Sequence, residues 1–249
     1  MIHSFGSNDS PVIVLVHGMM TPWQVWTDQI KQFSRDYHVI VPELSGHTVD
    51  RPTRFISIED EAKNIVKALH DMDIDKVSVL CGMSLGGAIS FEMLKSGSIG
   101  IDDLVLDGAP LMPMPKIAEK IMAMNYITIL KKTKLRDNKT LDRCRRDFLP
   151  ERFIDDFLKV ADNMEEDTVK NAMRSVCSRS IPADMDVHSR ILFIHGTKAN
   201  ESISKKSAER LKKLYPETEV LCYKGDPHVY KAIRQTDVWI RDVENFLHK

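Results

Sequence analysis

Val77-Ser78-Val79-Leu80-Cys81-Gly82-Met83-Ser84-Leu85-Gly86-Gly87-Ala88-Ile89 decides the reading of this chain. The apolar run Val77–Cys81 has the make-up of a buried strand, and Ala88-Ile89 opens a segment of helical character. Between them stands Gly-x-Ser-x-Gly. Glycines at 82 and 86 lack the Cβ atoms that would clash in a sharp strand-to-helix reversal, so the turn can push the Ser84 hydroxyl out above a sheet. The helix that follows aims its first N–H groups at any anion forming there. A glycine-rich turn with an incidental serine has the same letters, and the rest of the chain decides between the two.

Outward from this turn, short β-rich runs alternate with helix-length segments. Val12–Val16, Tyr37–Val41, Leu104–Leu106, Ile191–Ile194 and Val220–Tyr223 read as further strands, and Val12–Val16 is apolar on both faces, as a central parallel strand should be. Trp23–Phe33, Glu59–Met72, Lys205–Leu214 and Lys231–Leu247 read as helices; Ala62, Ile65, Val66 and Leu69 share one face. Such alternation predicts an α/β fold: a mostly parallel sheet of about seven strands with helices on both faces, Met1–Phe5 adding at most a short edge strand. From Pro110 to about Val187 the alternation stops. Residues 111–187 are predicted to form a helical cap inserted into a core made of 1–110 and 188–249. The insertion starts just past the carboxyl end of a strand, the edge where open α/β sheets bind ligands.

Three more features stand where an exposed serine would need them. His17-Gly18 closes the strand Val12–Val16, Leu44-Ser45-Gly46-His47 follows the next, and Gly225-Asp226-Pro227-His228 follows the last. In this order, with the serine turn, they resemble the α/β-hydrolase fold family, in its cap-bearing esterase-like branch, over nearly the whole chain. The resemblance implies that Ser84 is the nucleophile and His228 the general base. It also implies an oxyanion hole from the backbone N–H groups of Met19 and Leu85. His17, His47 and His195 are expected to shape loops.

The third triad member departs from the family pattern. The family places an aspartate three residues beyond a glycine after the strand Ile191–Ile194; here Gly196 is followed by Thr197-Lys198-Ala199-Asn200-Glu201. Two carboxylates remain. Asp107, at the end of the strand Leu104–Leu106, is favoured because a short side chain at a strand end is better fixed than one in a loop. Glu201 is the alternative, two residues late but with a longer reach.

Composition narrows the partners. With 35 Lys+Arg against 36 Asp+Glu the formal net charge is −1, which gives no electrostatic footprint for nucleic acid or an anionic membrane. No apolar run of about 18 residues exists to span a bilayer, and no secretory leader is legible. The four cysteines, 81, 144, 177 and 222, show no metal or redox spacing; Cys81 and Cys222 read as reduced core thiols, and the expected location is cytoplasmic. No metal or other cofactor is expected. The early insertion is rich in methionine, a side chain suited to a varied acyl pocket, and Met112 and Met122 are candidate substrate contacts together with Trp23. The basic run Lys131–Arg146 reads as a solvated face, with an anion-binding role as the sharper reading. The expected activity is hydrolysis of a small or medium acyl ester through an acyl-enzyme. Thioester or carbon–carbon cleavage by the same residues, and a non-catalytic small-molecule receptor, are the competing readings.

Overall fold

Strand β2 (Val12–Val16) is buried at four of its five positions, and β3 (His38–Pro42) at all five. Successive strand residues point to opposite faces, so unbroken burial requires cover on both sides. The sheet has seven strands in the order β1-β3-β2-β4-β5-β6-β7. Here β1 is Ile2–Phe5, β4 Lys76–Met83, β5 Gly100–Asp107, β6 Arg190–Gly196 and β7 Glu219–Tyr223. Only β1 is antiparallel; it pairs with β3, Ile2 opposite Pro42. The other six are parallel, which gathers their carboxyl ends on one edge. This computed structural model describes residues 1–249, apart from the side chain of Ala199.

Helices cover the sheet: α1 (Thr27–Phe33) packs against α10 (Thr236–Leu247), and α2 (Ile58–His70) against α3 (Leu85–Ser96). Helix α2 starts where Ser57 Oγ accepts the Asp60 N–H at 3.0 Å, with Glu59, Asp60 and Glu61 in the first turn complementing the helix dipole. Two helical segments are more broken than the sequence predicts. Trp23–Trp26 forms a 3-10 turn before α1, and the C-terminal segment divides at the non-helical Gln235 (φ −132, ψ 56) into α9 (Tyr230–Arg234) and α10.

Between β5 and β6 lie α4 (Lys116–Lys134), α5 (Asn138–Asp147), α6 (Ile154–Asn163) and α7 (Glu166–Cys177). Helix α7 is tied down firmly. Just past it, Arg179 pairs with Glu92 of α3 at 2.8 Å and with Glu59 of α2, and Asn171 Nδ2 donates to Phe55 O at 2.9 Å. By contrast α4 buries only Leu130 and Thr133 of its nineteen residues and exposes Ile117, Ile121 and Met124. Part of the basic run forms surface pairs, among them Arg136–Asp162, Arg145–Glu151 and Arg146–Asp147. Cys81 is fully buried, but Cys222 is exposed because β7 is the edge of the sheet, a correction to its reading as a core thiol. Among the described residues no helix is long and apolar enough to cross a membrane.

Candidate active site

The turn after β4 is held by contacts that exclude larger residues. A Cβ on Gly82 would lie 2.4 Å from Gly86 O, and one on Gly86 would lie 2.3 Å from Val16 O. Ser84 itself sits at φ 54, ψ −116, a conformation that costs about 1–3 kcal/mol and persists only when its surroundings enforce it. Its N–H donates to Asp107 O at 2.7 Å, which fastens the turn to the end of β5. Helix α3 begins at the next residue, so the positive end of its dipole faces the serine.

His228 comes from the loop after β7. Its Nε2 lies 2.8 Å from Ser84 Oγ, and its Nδ1 is hydrogen-bonded to Glu201 Oε1. The tautomer that suits both contacts carries the proton on Nδ1, leaving Nε2 to accept from the serine hydroxyl. The side chain of Glu201 is completely buried, and its second oxygen accepts the Gly196 N–H at 3.0 Å. The loops that carry the histidine and the glutamate are joined through Asp226, whose carbonyl accepts from the N–H groups of both Thr197 and Lys198 at 3.1 Å. Beyond His228, the β-branched Val229 is held at φ 48, a strained position that its surroundings must enforce. Behind the ring, Gly108 at φ +66 leaves no room for a side chain, since a Cβ there would lie 2.6 Å from His228 Cε1.

The carboxylate favoured by the sequence is therefore not the one that meets the histidine. Asp107 ends β5 as expected and is buried, but its Oδ2 accepts from Trp239 Nε1 at 2.9 Å. The loop after β6 makes the difference. A 3-10 turn at Ala199–Glu201 shortens the path after β6, and the glutamate's extra methylene brings it to Nδ1. Burial, then the charge of Glu201, pushes the Asp107 carboxyl up to about 7.

Met19 and Leu85 both line the cavity beside Ser84. Neither of their N–H groups has an acceptor among the described residues. The loop before Met19 is shaped by His17, which donates from Nδ1 to Gly18 O at 3.1 Å and accepts the Leu44 N–H on Nε2 at 3.1 Å. Burial, reinforced by the neighbouring His47, pulls the His17 ring down to about 3, so it stays neutral and keeps both bonds.

A cavity of ≈ 330 Å³ opens over Ser84 and His228. Its walls include Met114, Met122 and Tyr126 from α4 and its approach, Met173 and Val176 from α7, and Ile203 from α8 (Ser202–Leu214). Met122 thus stands where the sequence expects it. Trp23 and Met112 do not line this cavity: Trp23 stacks on His3 with ring centroids 4.0 Å apart, and Met112 packs against the core. The 3-10 turn aims the Trp23 indole back at β1, which removes it from the site. Sequence reasoning missed Met173, Val176 and Ile203; they reach the serine only through the packing of α7 and α8. Among the described residues no three His, Cys, Asp or Glu side chains gather as a metal-ligand set.

Comparison with known proteins gives the family and the fold. Residues 13–237 match the model of the Alpha/beta hydrolase family, and the chain belongs to that family. It is 33% identical over 91 residues to the magnesium-chelatase 30 kDa subunit of Rhodobacter capsulatus, covering 35% of this chain and 31% of that one. It is 28% identical over 89 residues to (E)-2-((N-methylformamido)methylene)succinate hydrolase of Acinetobacter baylyi, covering 35% and 34%. The chain thus spans about a third of the length of these curated relatives. Its fold is shared with a structure from a study of carboxylesterases of Nitrososphaera gargenis, at 16% identity and TM-score 0.76 over 100% of this chain and 93% of that one.

Proposed function

We propose that this chain is a serine hydrolase that cleaves small or medium acyl esters through an acyl-enzyme. The observation that carries the reading is the hydrogen-bonded line from Ser84 Oγ through the His228 ring to the buried Glu201, at the floor of an apolar cavity. Ser84 Oγ attacks the acyl carbon while His228 Nε2 takes its proton. The carbonyl oxygen becomes an oxyanion that accepts from the Met19 and Leu85 N–H groups, each such donor being worth ~2.7–4 kcal/mol in the transition state. The imidazolium, steadied by Glu201, returns the proton to the departing alcohol. Water, deprotonated by the same nitrogen, then attacks the acyl-enzyme, and Ser84 regains its proton as the acid leaves.

The four helices between β5 and β6 serve in this reading as a cap over the acyl group, with the well-anchored α7 as the fixed wall. A receptor that only bound a ligand would have no use for a serine, a correctly oriented histidine and two free N–H donors at one point. The test is hydrolysis of p-nitrophenyl butyrate by the natural protein and by Ser84→Ala. Turnover that falls to the background rate in the variant supports the reading; equal rates would refute it.

A further inference from the structure

The walls of the Ser84 cavity carry little charge, and one of them presents a tyrosine hydroxyl with no protein partner. Of the residues that line it, His228 is the only ionisable nitrogen base, and no lysine or arginine is among them. Four methionines, Met19, Met114, Met122 and Met173, are among the apolar residues that line it. An ionised carboxylate placed there would lose its hydration with no cation to replace it, at a cost of several kcal/mol. The polar lining residues are accounted for in different ways. Ser204 Oγ already donates to Gly108 O at 3.1 Å, and Asn200 and Ser202 are exposed at the rim. Tyr126 is half-buried, and its hydroxyl has no hydrogen-bond partner among the described residues. An unpaired donor in an apolar cavity is the usual form of a specificity contact.

We propose that the acyl group this site takes is uncharged, carries a neutral oxygen acceptor such as a ketone or ether, and is held through that oxygen by the Tyr126 hydroxyl. The proposal rests on the serine-hydrolase reading. At about 30 Å³ for each water-sized group, the cavity volume allows an acyl portion of roughly ten non-hydrogen atoms. Tyr126 is then a specificity residue, with no part in the proton transfers at Ser84.

Three p-nitrophenyl esters separate these features: 4-oxopentanoate, pentanoate and the monoester of succinic acid. The first and third are near-isosteres that differ in a methyl ketone against a carboxylate. The expected kcat/KM for the 4-oxopentanoate ester is at least 100-fold above that for the succinate monoester. Tyr126→Phe is expected to lower the first about tenfold more than it lowers the pentanoate ester. A succinate monoester cleaved as well as its ketone isostere would overturn the uncharged class. Equal losses on the ketone and alkyl esters in Tyr126→Phe would overturn the role of the hydroxyl. Fluorophosphonate labelling of Ser84 is run alongside: labelled protein with the wrong preferences sinks this inference alone, whereas unlabelled protein that cleaves none of the esters sinks the hydrolase reading and this inference with it.

Discussion

Asp107 and Glu201 are two buried carboxylates close enough for each to feel the other's charge, and they divide the work. Glu201 holds His228 Nδ1, while Asp107 accepts from Trp239 and is pushed up to about 7 by burial and by the charge of Glu201. Only one of two neighbouring acids can ionise cheaply in a dry site. The assignment makes the two isosteric variants unequal. Glu201→Gln is expected to lower kcat on an activated ester by about 10³–10⁴, the scale seen when a triad acid loses its charge. Asp107→Asn, which can still accept from Trp239, is expected to stay within about tenfold of the natural enzyme. Steady-state kinetics on both variants checks this, and the reverse order would move the acid to Asp107.

Much of this site is legible in the sequence, because Ser84 and His17-Gly18 directly follow a strand and His228 stands in the short loop after the last one. Parallel strands send their carboxyl ends to one edge, so short-range pattern is enough to bring those residues together. Glu201 is not legible in the same way. Its reach depends on a 3-10 turn and on the second oxygen capping Gly196, neither of which has a sequence signature strong enough to outweigh Asp107. Trp23 shows the same limit, since the 3-10 turn before α1 decides where its ring points. Met173 and Val176 lie more than sixty residues beyond β5 and come to the Ser84 cavity only through tertiary packing.

Gly108 bears on the histidine directly. An alanine there places Cβ 2.6 Å from His228 Cε1 and must also adopt φ +66. Gly108→Ala is expected to cost about 1 kcal/mol of stability from the backbone alone and to lower kcat at least tenfold by displacing the ring. Thermal melts and ester kinetics on the same preparation separate the two effects; a folded variant with full activity would show that the ring has more room than these distances allow.

Stability should depend on pH with a definite sign. Burial holds His17 near 3 and His47 near 4, so the unfolded chain takes up two protons near pH 6.5 that the folded chain refuses. Each favours the folded state less as pH falls, at up to about 1.4 kcal/mol per pH unit. Asp107 acts in the opposite direction. Its folded carboxyl keeps a proton up to about pH 7, whereas the unfolded one releases it near 3.8, so this group costs stability as pH rises between those values. Two against one leaves a net loss on acidification from pH 6.5 to 4.5, roughly 2 kcal/mol. Asp107→Asn removes the opposing slope and should make acid sensitivity steeper. Urea unfolding at a series of pH values measures both slopes, and identical slopes in the two proteins would contradict the assignment.

Arg179 anchors the end of α7 to α2 and α3. With only 11% of its side chain exposed, its removal leaves the equally buried Glu92 with Lys95 alone. Arg179→Met is expected to cost about 1–3 kcal/mol and, because α7 forms one wall of the cavity, to raise KM more than it lowers kcat. Chemical denaturation and ester kinetics check the two parts. An unchanged KM would mean that α7 keeps its place without the arginine.

The most direct measurement is mass-spectrometric mapping of the adduct formed with a fluorophosphonate probe, on the natural protein and on His228→Ala. Fast modification of the natural protein at Ser84, slowed by orders of magnitude in His228→Ala, is the expected result, since an unassisted serine hydroxyl is a poor nucleophile. A folded natural protein that stays unmodified, or one labelled at the same rate without His228, would contradict the claim that Ser84 and His228 work as nucleophile and base.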